Sequence, residues 1–398
     1  MKIVLIVLDG GGDIGLNTPL ETAKKPNIDF LAKNGILGLL DIGYKKTIDS
    51  DLGYLTLLGC YSEKDYPGRG YLEALGVGLN PKESDICLRG DFATLGPDGN
   101  LIDRRAGRDE TGLEEFAEKL NMEIDGIKFI VKKSSGHRVI VLMRGPGLSK
   151  EIIPNDPKKV GVPVSQIKPK KPEAKKTASV LNKFLFKAHK ILEKQEINKK
   201  RKLPANIILI RNVGKKNFVK SFKERFGFKG CCIAGINIAK GVSRYLGLDV
   251  IEVPGANGMP DTNLSGKFEC LTKALKDYDF VFFHINGTDI LSHDKKREEK
   301  KKFIEKIDLE LGKVLKKINL NETIIVITCD HRTASLKDFK GYEHLPDPVP
   351  VLISGNNIKP DKIEKFDEKN CEKGFKLKGN ELISFILKQT NFYKKIKY

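Results

Sequence analysis

Carboxylates and imidazoles recur where apolar runs of this chain end. Residues 278–284 form one such run, followed by Thr288-Asp289 and then His293. Residues 323–328 form another, which leads into Cys329-Asp330-His331. A third, residues 350–353, lies just past His344, and residues 2–8 end at Asp9-Gly10. Carboxylate oxygens with neutral imidazoles suit Zn, Mn or a similar borderline divalent ion. A single Asp–His pair carries little weight, since capping aspartates and satisfied core histidines are common. Two pairs with a further histidine, each after an apolar run, point to two metals sharing one cleft. A nucleophile candidate lies upstream. Asp51-x-x-x-Leu55 with Leu57-Leu58 reads as a helix entered just after Ser50. A hydroxyl there sits where the helix dipole and free N–H groups favour negative charge. The competing reading makes Ser50 a plain N-cap.

The apolar runs are the elements that must position these groups. Residues 2–8, 36–40, 207–211, 229–234, 249–253, 278–284, 323–328 and 350–353 read as strands. Helical patterns at 26–34, 215–226, 238–246, 262–276, about 295–317 and 381–387 alternate with them. This predicts an α/β fold, a mostly parallel sheet with helices on both faces. Such sheets place ligands at the carboxyl ends of their strands. The charge run at 295–302 reads as a solvated helix face.

From Tyr61 to Pro172 the pattern changes. Short strands at 86–95, 101–103, 128–132 and 138–143 surround a helix at 113–120. Gly68-Arg69-Gly70 and Gly76-Val77-Gly78 read as loop signals. This predicts an inserted α+β domain at 61–172, with hinges near Tyr61 and Pro172. Residues 1–60 and 173–398 would form the metal-binding core, including a long amphipathic helix from Ala174 to about Asn198. The insert carries Arg69, Arg104, Arg105, Arg108, His137 and Arg138. Guanidinium forks grip carboxylates and phosphates bidentately, so the insert reads as a substrate-binding lid.

Composition narrows the function classes. The chain has 398 residues, a formal charge of +19, seven cysteines and no tryptophan. The lysines are spread along the chain, and aromatics do not interleave with a basic patch as in single-strand binders. An anionic small substrate therefore fits better than nucleic acid. The cysteines lack Cys-x-x-Cys spacing, which suits reduced thiols in the cytoplasm. No apolar run is long enough to span a membrane.

Many short motifs in one order then resemble a known family. They include Leu8-Asp9-Gly10, Thr18-Pro19-Leu20-Glu21, Lys25-Pro26-Asn27-Ile28-Asp29, Gly68-Arg69-Gly70, Phe92-Ala93-Thr94 and Asp103-Arg104-Arg105-Ala106-Gly107-Arg108. Further along come Gly136-His137-Arg138, Asn155-Asp156-Pro157, Val253-Pro254-Gly255-Ala256, Thr288-Asp289, His293-Asp294, Asp330-His331 and Asp347-Pro348-Val349-Pro350. Nearly end to end, the chain resembles the archaeal type of cofactor-independent phosphoglycerate mutase, in the alkaline phosphatase superfamily.

The resemblance implies two divalent ions, commonly manganese, with Mg, Zn or Co as alternatives, and no bisphosphoglycerate. It implies that Asp9, Ser50, Asp330 and His331 hold one ion and Asp289, His293 and His344 the other. Ser50 would be the nucleophile. The substrate would be a small phosphorylated acid gripped by the insert. Three departures stand out. The family's Ser-Asp-Thr-Ala-His-Leu is Ser50-Asp51-Leu52-Gly53-Tyr54-Leu55 here. Its Lys-Ala-Thr-Asp is Asn286-Gly287-Thr288-Asp289. Its Asp-His-Ser-Thr-Pro is Asp330-His331-Arg332-Thr333-Ala334. Arg332 is the candidate to replace the lysine absent at Asn286. The rival readings are a metal-dependent phosphohydrolase, in which water resolves phospho-Ser50, and a nucleic-acid-binding protein on an enzyme scaffold.

Overall fold

Strand β1, Lys2–Leu8, runs through the middle of the larger sheet. Its unbroken Ile, Val and Leu run is the pattern of a strand covered on both faces, and Ile3 to Leu8 are all buried. The chain, seen as a computed structural model, is described for residues 1–43, 49–60, 65–341, 343–355 and 358–390. The sheet also holds β2 (Gly35–Asp41), β3 (Gly230–Ile233), β4 (Asp249–Val250), β5 (Phe280–Ile285), β6 (Thr323–Thr328), β7 (Val349–Gly355) and β8 (Phe375–Lys378). Their spatial order is β4–β3–β5–β1–β6–β7–β2–β8. Neighbours are parallel except at β7, which is antiparallel to both β6 and β2. The expected mostly parallel α/β sheet is therefore present. Edge strand β8 was not expected. Its Phe-Lys-Leu-Lys alternation is half exposed, and lysine is a usual guard of an open edge.

The chain divides into two compact units, Met1–Glu63 with Val219–Tyr398, and Lys64–Phe218. The insert thus ends at Phe218, not at Pro172 as expected from composition. The physical reason is where two later elements bury themselves. Helix Lys175–Glu193 packs Val180, Leu181, Phe184, Ala188 and Leu192 into the same core as Phe129, Val131 and Val139 of the insert. Phe184 stacks on Phe129 at 4.2 Å between ring centroids. Strand Ile207–Lys215 pairs antiparallel with Ile86–Leu95, so it too belongs to the insert rather than the larger sheet. The other expected hinge, near Tyr61, lies outside the described residues.

Local expectations needed three further corrections. The 215–226 helix shrinks to Phe222–Phe226, started by a Ser221–Glu224 capping box. The glycines at 68–70 and 76–78 bracket a helix, Arg69–Gly76, rather than a continuous loop. Helix Arg297–Leu315 is not a purely solvated face at its start. Lys300 is fully buried. Its Nζ donates to the carbonyls of Gly10 and Gly12 at 3.0 and 3.3 Å and pairs with Asp13 at 3.2 Å. It thereby ties down the turn that follows β1.

The insert has its own six-strand antiparallel sheet, in the order Ile207–Lys215, Ile86–Leu95, Arg138–Arg144, Ile127–Lys133, Met122–Ile124, with Leu101–Asp103 pairing beside this path to Ile86–Leu95. Side chains alternate between its faces. Ile86, Leu88 and Phe92 join the apolar core under the long helix. Residues 87, 89, 91 and 93 point the other way, and two of these are Arg89 and Asp91.

Candidate metal centre and arginine face

The carboxyl ends of β1, β5 and β6 bring the expected ligands together. Asp9 follows β1 directly, and Asp330 and His331 follow β6. Asp289 and His293, expected only as residues following an apolar run, both lie on a short helix, Gly287–His293. Their spacing of four residues puts them on one helix face. His344 returns through a two-residue ladder in which it pairs with Thr333. Two close approaches demand glycine. A Cβ on Gly10, at φ +55°, would lie 2.6 Å from the Asp289 and Thr333 side-chain oxygens. One on Gly53 would lie 2.9 Å from Asp330, so Gly53 lets the helix bearing Ser50 approach.

Two ligand groups result. Asp289, His293 and His344 offer atoms within 4.8 Å of one another, and so do Asp9, Asp289 and His331. Asp289 is common to both. His293 Nε2 and His344 Nε2 lie 3.0 Å apart, and Asp289 Oδ2 is 3.3 Å from His293. Ser50 is the first residue of helix Ser50–Leu57, and Asp49 occupies the cap position. The Ser50 Oγ instead lies 3.3 Å from His331 Nε2. The plain N-cap reading of Ser50 therefore falls.

The tautomer of His331 follows from its partners. Thr333 Oγ1 donates to Asp289 Oδ1 at 3.0 Å, so it accepts from His331 Nδ1–H at 2.9 Å. A neutral His331 then aims its Nε2 lone pair at Asp9 Oδ1 and Asp330 Oδ2, at 3.4 and 3.3 Å. Lone pairs facing lone pairs require a proton or a cation between them. The charges agree. Burial, then the charge of Asp9, pushes the Asp330 carboxyl well above the usual range. Burial opposes a charge on His331, yet Asp330, Asp9 and Asp289 raise it to about 10. Burial opposes ionisation of Asp9 as well, but the hydrogen bond from His284 and the nearby His331 outweigh it and hold this carboxyl low. Asp9 Oδ1 and Asp330 Oδ2 are buried and accept no hydrogen bond among the described residues. Buried acceptors without donors and convergent imidazoles fit divalent cations.

The insert gathers the opposite chemistry. On the face opposite its apolar core, Arg89 is flanked by Arg69 and Arg138, and Glu73 lies 3.5 Å from Arg69 and 3.6 Å from Arg89. Burial brings the Arg89 guanidinium down to about 10. Arg104 grips Asp156 with two nitrogens, at 3.1 and 2.6 Å. A bulge between Ile210 and Asn212 swings Arg211 onto Asp156 at 2.7 Å and Asp91 at 2.8 Å. His137 lies 3.6 Å from Asp91. Arg105 senses Arg108, Arg211 and Arg104 and is lowered by burial and their repulsion. Arg201 supports this loop by donating to the carbonyls of Thr111, Ala106 and Asp109. All six expected insert residues thus join one basic cluster. Sequence reading missed Arg89, Asp91 and Arg211. The outward alternation of polar residues in 87–93 was the available signal.

Arg332 is not a free cation. It donates to the carbonyls of Pro348 and Asp13 at 2.7 and 3.5 Å. The expectation that it replaces the missing lysine is therefore corrected. Asn286 itself is held by the Gly258 carbonyl at 2.8 Å.

The fold and these ligands define a metalloenzyme, and residues 1–385 match the Metalloenzyme superfamily. A 2,3-bisphosphoglycerate-independent phosphoglycerate mutase from Methanocaldococcus jannaschii is 42% identical over 407 residues, covering 98% of this chain and 97% of that protein. One from Methanococcus aeolicus is 41% identical, covering 98% of each. Among solved structures, the cofactor-independent phosphoglycerate mutase of Thermoplasma acidophilum shares 33% identity with a TM-score of 0.72, covering 98% of this chain and all of that one. A Pyrococcus horikoshii protein shares 31% identity with a TM-score of 0.83, covering all of this chain and 98% of its own. The chain belongs to the archaeal family of 2,3-bisphosphoglycerate-independent phosphoglycerate mutases.

Proposed function

We propose that this chain interconverts 3-phosphoglycerate and 2-phosphoglycerate through a phosphoserine on Ser50, with two divalent ions, manganese foremost, in the cytoplasm. The observation that carries this reading is the position of Ser50 Oγ, 3.3 Å from His331 Nε2 inside the carboxylate–imidazole set. Bound divalent ions supply Lewis-acid charge for the reacting oxygens and acidify the serine hydroxyl. Asp289, His293 and His344 would hold one ion, and Asp9, Ser50, Asp330 and His331 the other, with Asp289 near both. Ser50 attacks phosphorus in line as the ester oxygen of glycerate leaves with the bonding pair. The neighbouring glycerate hydroxyl then attacks phospho-Ser50 and releases the serine. The helix N-terminus at Ser50 favours the negative charge carried in both steps. Arg69, Arg104, Arg105, Arg108, His137 and Arg138 are the proposed contacts of the glycerate moiety, where fork geometry discriminates a carboxylate.

A hydrolytic side reaction has its own support. Asn286 stands where a lysine would sit, and the Arg332 guanidinium is spent on backbone carbonyls. Retaining glycerate and excluding water from phospho-Ser50 is then less well served. The test is one assay with two readouts. Purified protein with Mn2+ and 3-phosphoglycerate should form an enolase-consumable product together with a minor release of phosphate. Asn286→Lys should lower the ratio of phosphate to isomer. Release of phosphate alone would replace the mutase reading with a phosphohydrolase. Isomerisation without any leak would remove the role given to Asn286.

A further inference from the structure

Asp9 offers the metal centre only one of its two carboxylate oxygens. Its Oδ2 turns back into the core, where the Tyr54 hydroxyl donates to it and His284 Nε2 lies 3.0 Å away. Tyr54 Oη and His284 Nε2 are 2.8 Å apart. Tyr54 and His284 are fully buried, and Asp9 is nearly so. A lone pair on His284 Nε2 would face the lone pairs of both oxygens, so this nitrogen carries the proton. Nδ1 then keeps the lone pair, and it has no hydrogen-bond partner among the described residues. Two donors therefore converge on Oδ2. The other oxygen, Oδ1, accepts none and faces His331.

Both donors are themselves fixed. Lys267 Nζ, buried, donates to the His284 carbonyl. Tyr54 stands one helical turn after Ser50 on the same helix. The Tyr54 ring meets His284 edge-on at 4.9 Å. Rotating the Asp9 carboxylate to offer both oxygens would break two buried hydrogen bonds at once.

We infer that Tyr54 and His284 are positioning residues that force Asp9 to act as a one-oxygen ligand and link that ligand to the helix carrying Ser50. This rests on the two-ion reading above. It adds a selectivity consequence. Two-oxygen carboxylate ligation suits the larger, higher-coordinate Ca2+, whereas single-oxygen ligation suits smaller ions. The hydroxyl of Tyr54 is thus a filter against Ca2+ as well as an aid to Mn2+.

The decisive experiment is calorimetric titration of metal-free protein with Mn2+ and, separately, Ca2+. Tyr54→Phe removes one oxygen and keeps the ring. It should weaken binding of one Mn2+ by roughly 10- to 100-fold, the usual effect of losing a partner behind a metal ligand. Ca2+ binding should fall less, so the preference for Mn2+ narrows. The metal-free melting temperature should stay close to wild type, and kcat should recover partly at saturating Mn2+. His284→Gln, which keeps an N–H donor, should bind Mn2+ better than His284→Leu, and this pair carries the test should Tyr54→Phe fold poorly. Equal Mn2+ affinity and unchanged Mn2+/Ca2+ preference in Tyr54→Phe would overturn the inference while the metal centre stands. A wild type that binds neither ion would instead overturn the two-ion reading and the inference with it.

Discussion

The two units of this chain gather opposite charges at their candidate faces. The first buries acceptors that accept no hydrogen bond among the described residues, Asp9 Oδ1 and Asp330 Oδ2. The second buries donors, Arg89 Nε and Arg138 Nε, that make no hydrogen bond among the described residues, with Glu73 3.6 Å from Arg89. A buried polar atom without a partner costs about 1–3 kcal/mol. Such a cost is ordinary at a ligand site and hard to account for elsewhere. On the proposed function, one unit takes cations and the other the anionic substrate. The supports differ too. The first set hangs on ends of buried parallel strands and a tethered turn. The second rests on one face of an antiparallel sheet, re-aimed locally by a bulge.

The comparison can be broken most sharply at Ser50. Ser50→Ala should cut turnover by roughly a thousand-fold or more, because the group that carries the phosphoryl is gone. Binding of 3-phosphoglycerate, followed by calorimetry, should persist if the arginines of the other unit supply it. A near-normal rate in this variant would make Ser50 a bystander.

Metal removal should separate the units thermodynamically. Ligands that bind only the native state stabilise it by about 2.7 kcal/mol per site at a hundred times Kd. Chelation should therefore abolish activity and lower the melting temperature by several degrees. Hydrogen exchange should localise the lost protection to the ends of β1, β5 and β6. Equal loss of protection throughout the Ile86–Leu95 strand would show that the two units are not independent in this sense.

The smallest effect is expected in the insert. Arg104→Lys keeps the charge but loses the fork held on Asp156. KM for 3-phosphoglycerate should rise about tenfold, worth about 1.4 kcal/mol, while manganese content stays at the wild-type level. A fall in metal content with unchanged KM would assign Arg104 to the wrong ligand.

Much of the first unit was legible because its strands are uniformly apolar and its chemistry follows them. Residues 2–8, 323–328 and 280–285 have no alternation to misread, and Asp9, Asp330 and His331 stand at their ends. The helix under Asp289 and His293 was less legible, since seven residues show too little periodicity. Their four-residue spacing was the remaining signal. Tyr54 and His284 could not be paired from sequence, being 230 positions apart. Lys300 was misread because a charge run gives no sign of which lysine turns inward. The strand expected at 207–211 is present and runs on to Lys215, but an apolar strand does not state which of two sheets it will join. That decision lay with the long helix, whose apolar stripe fits the insert.

Strand β1 meets its only two neighbours far downstream, at Phe280–Ile285 and Thr323–Thr328. A ribosome adds roughly 5–20 residues per second, so roughly 15–65 s separate the emergence of β1 from that of its second partner. The strands of the insert all pair within residues 64–218, so that unit can close while the rest is still being made. Strand β1 then waits long after the insert can close, and β2 waits longer still, since its partners are β7 and β8. During that interval the apolar run Ile3 to Leu8 needs shelter from its neighbours on the same polysome.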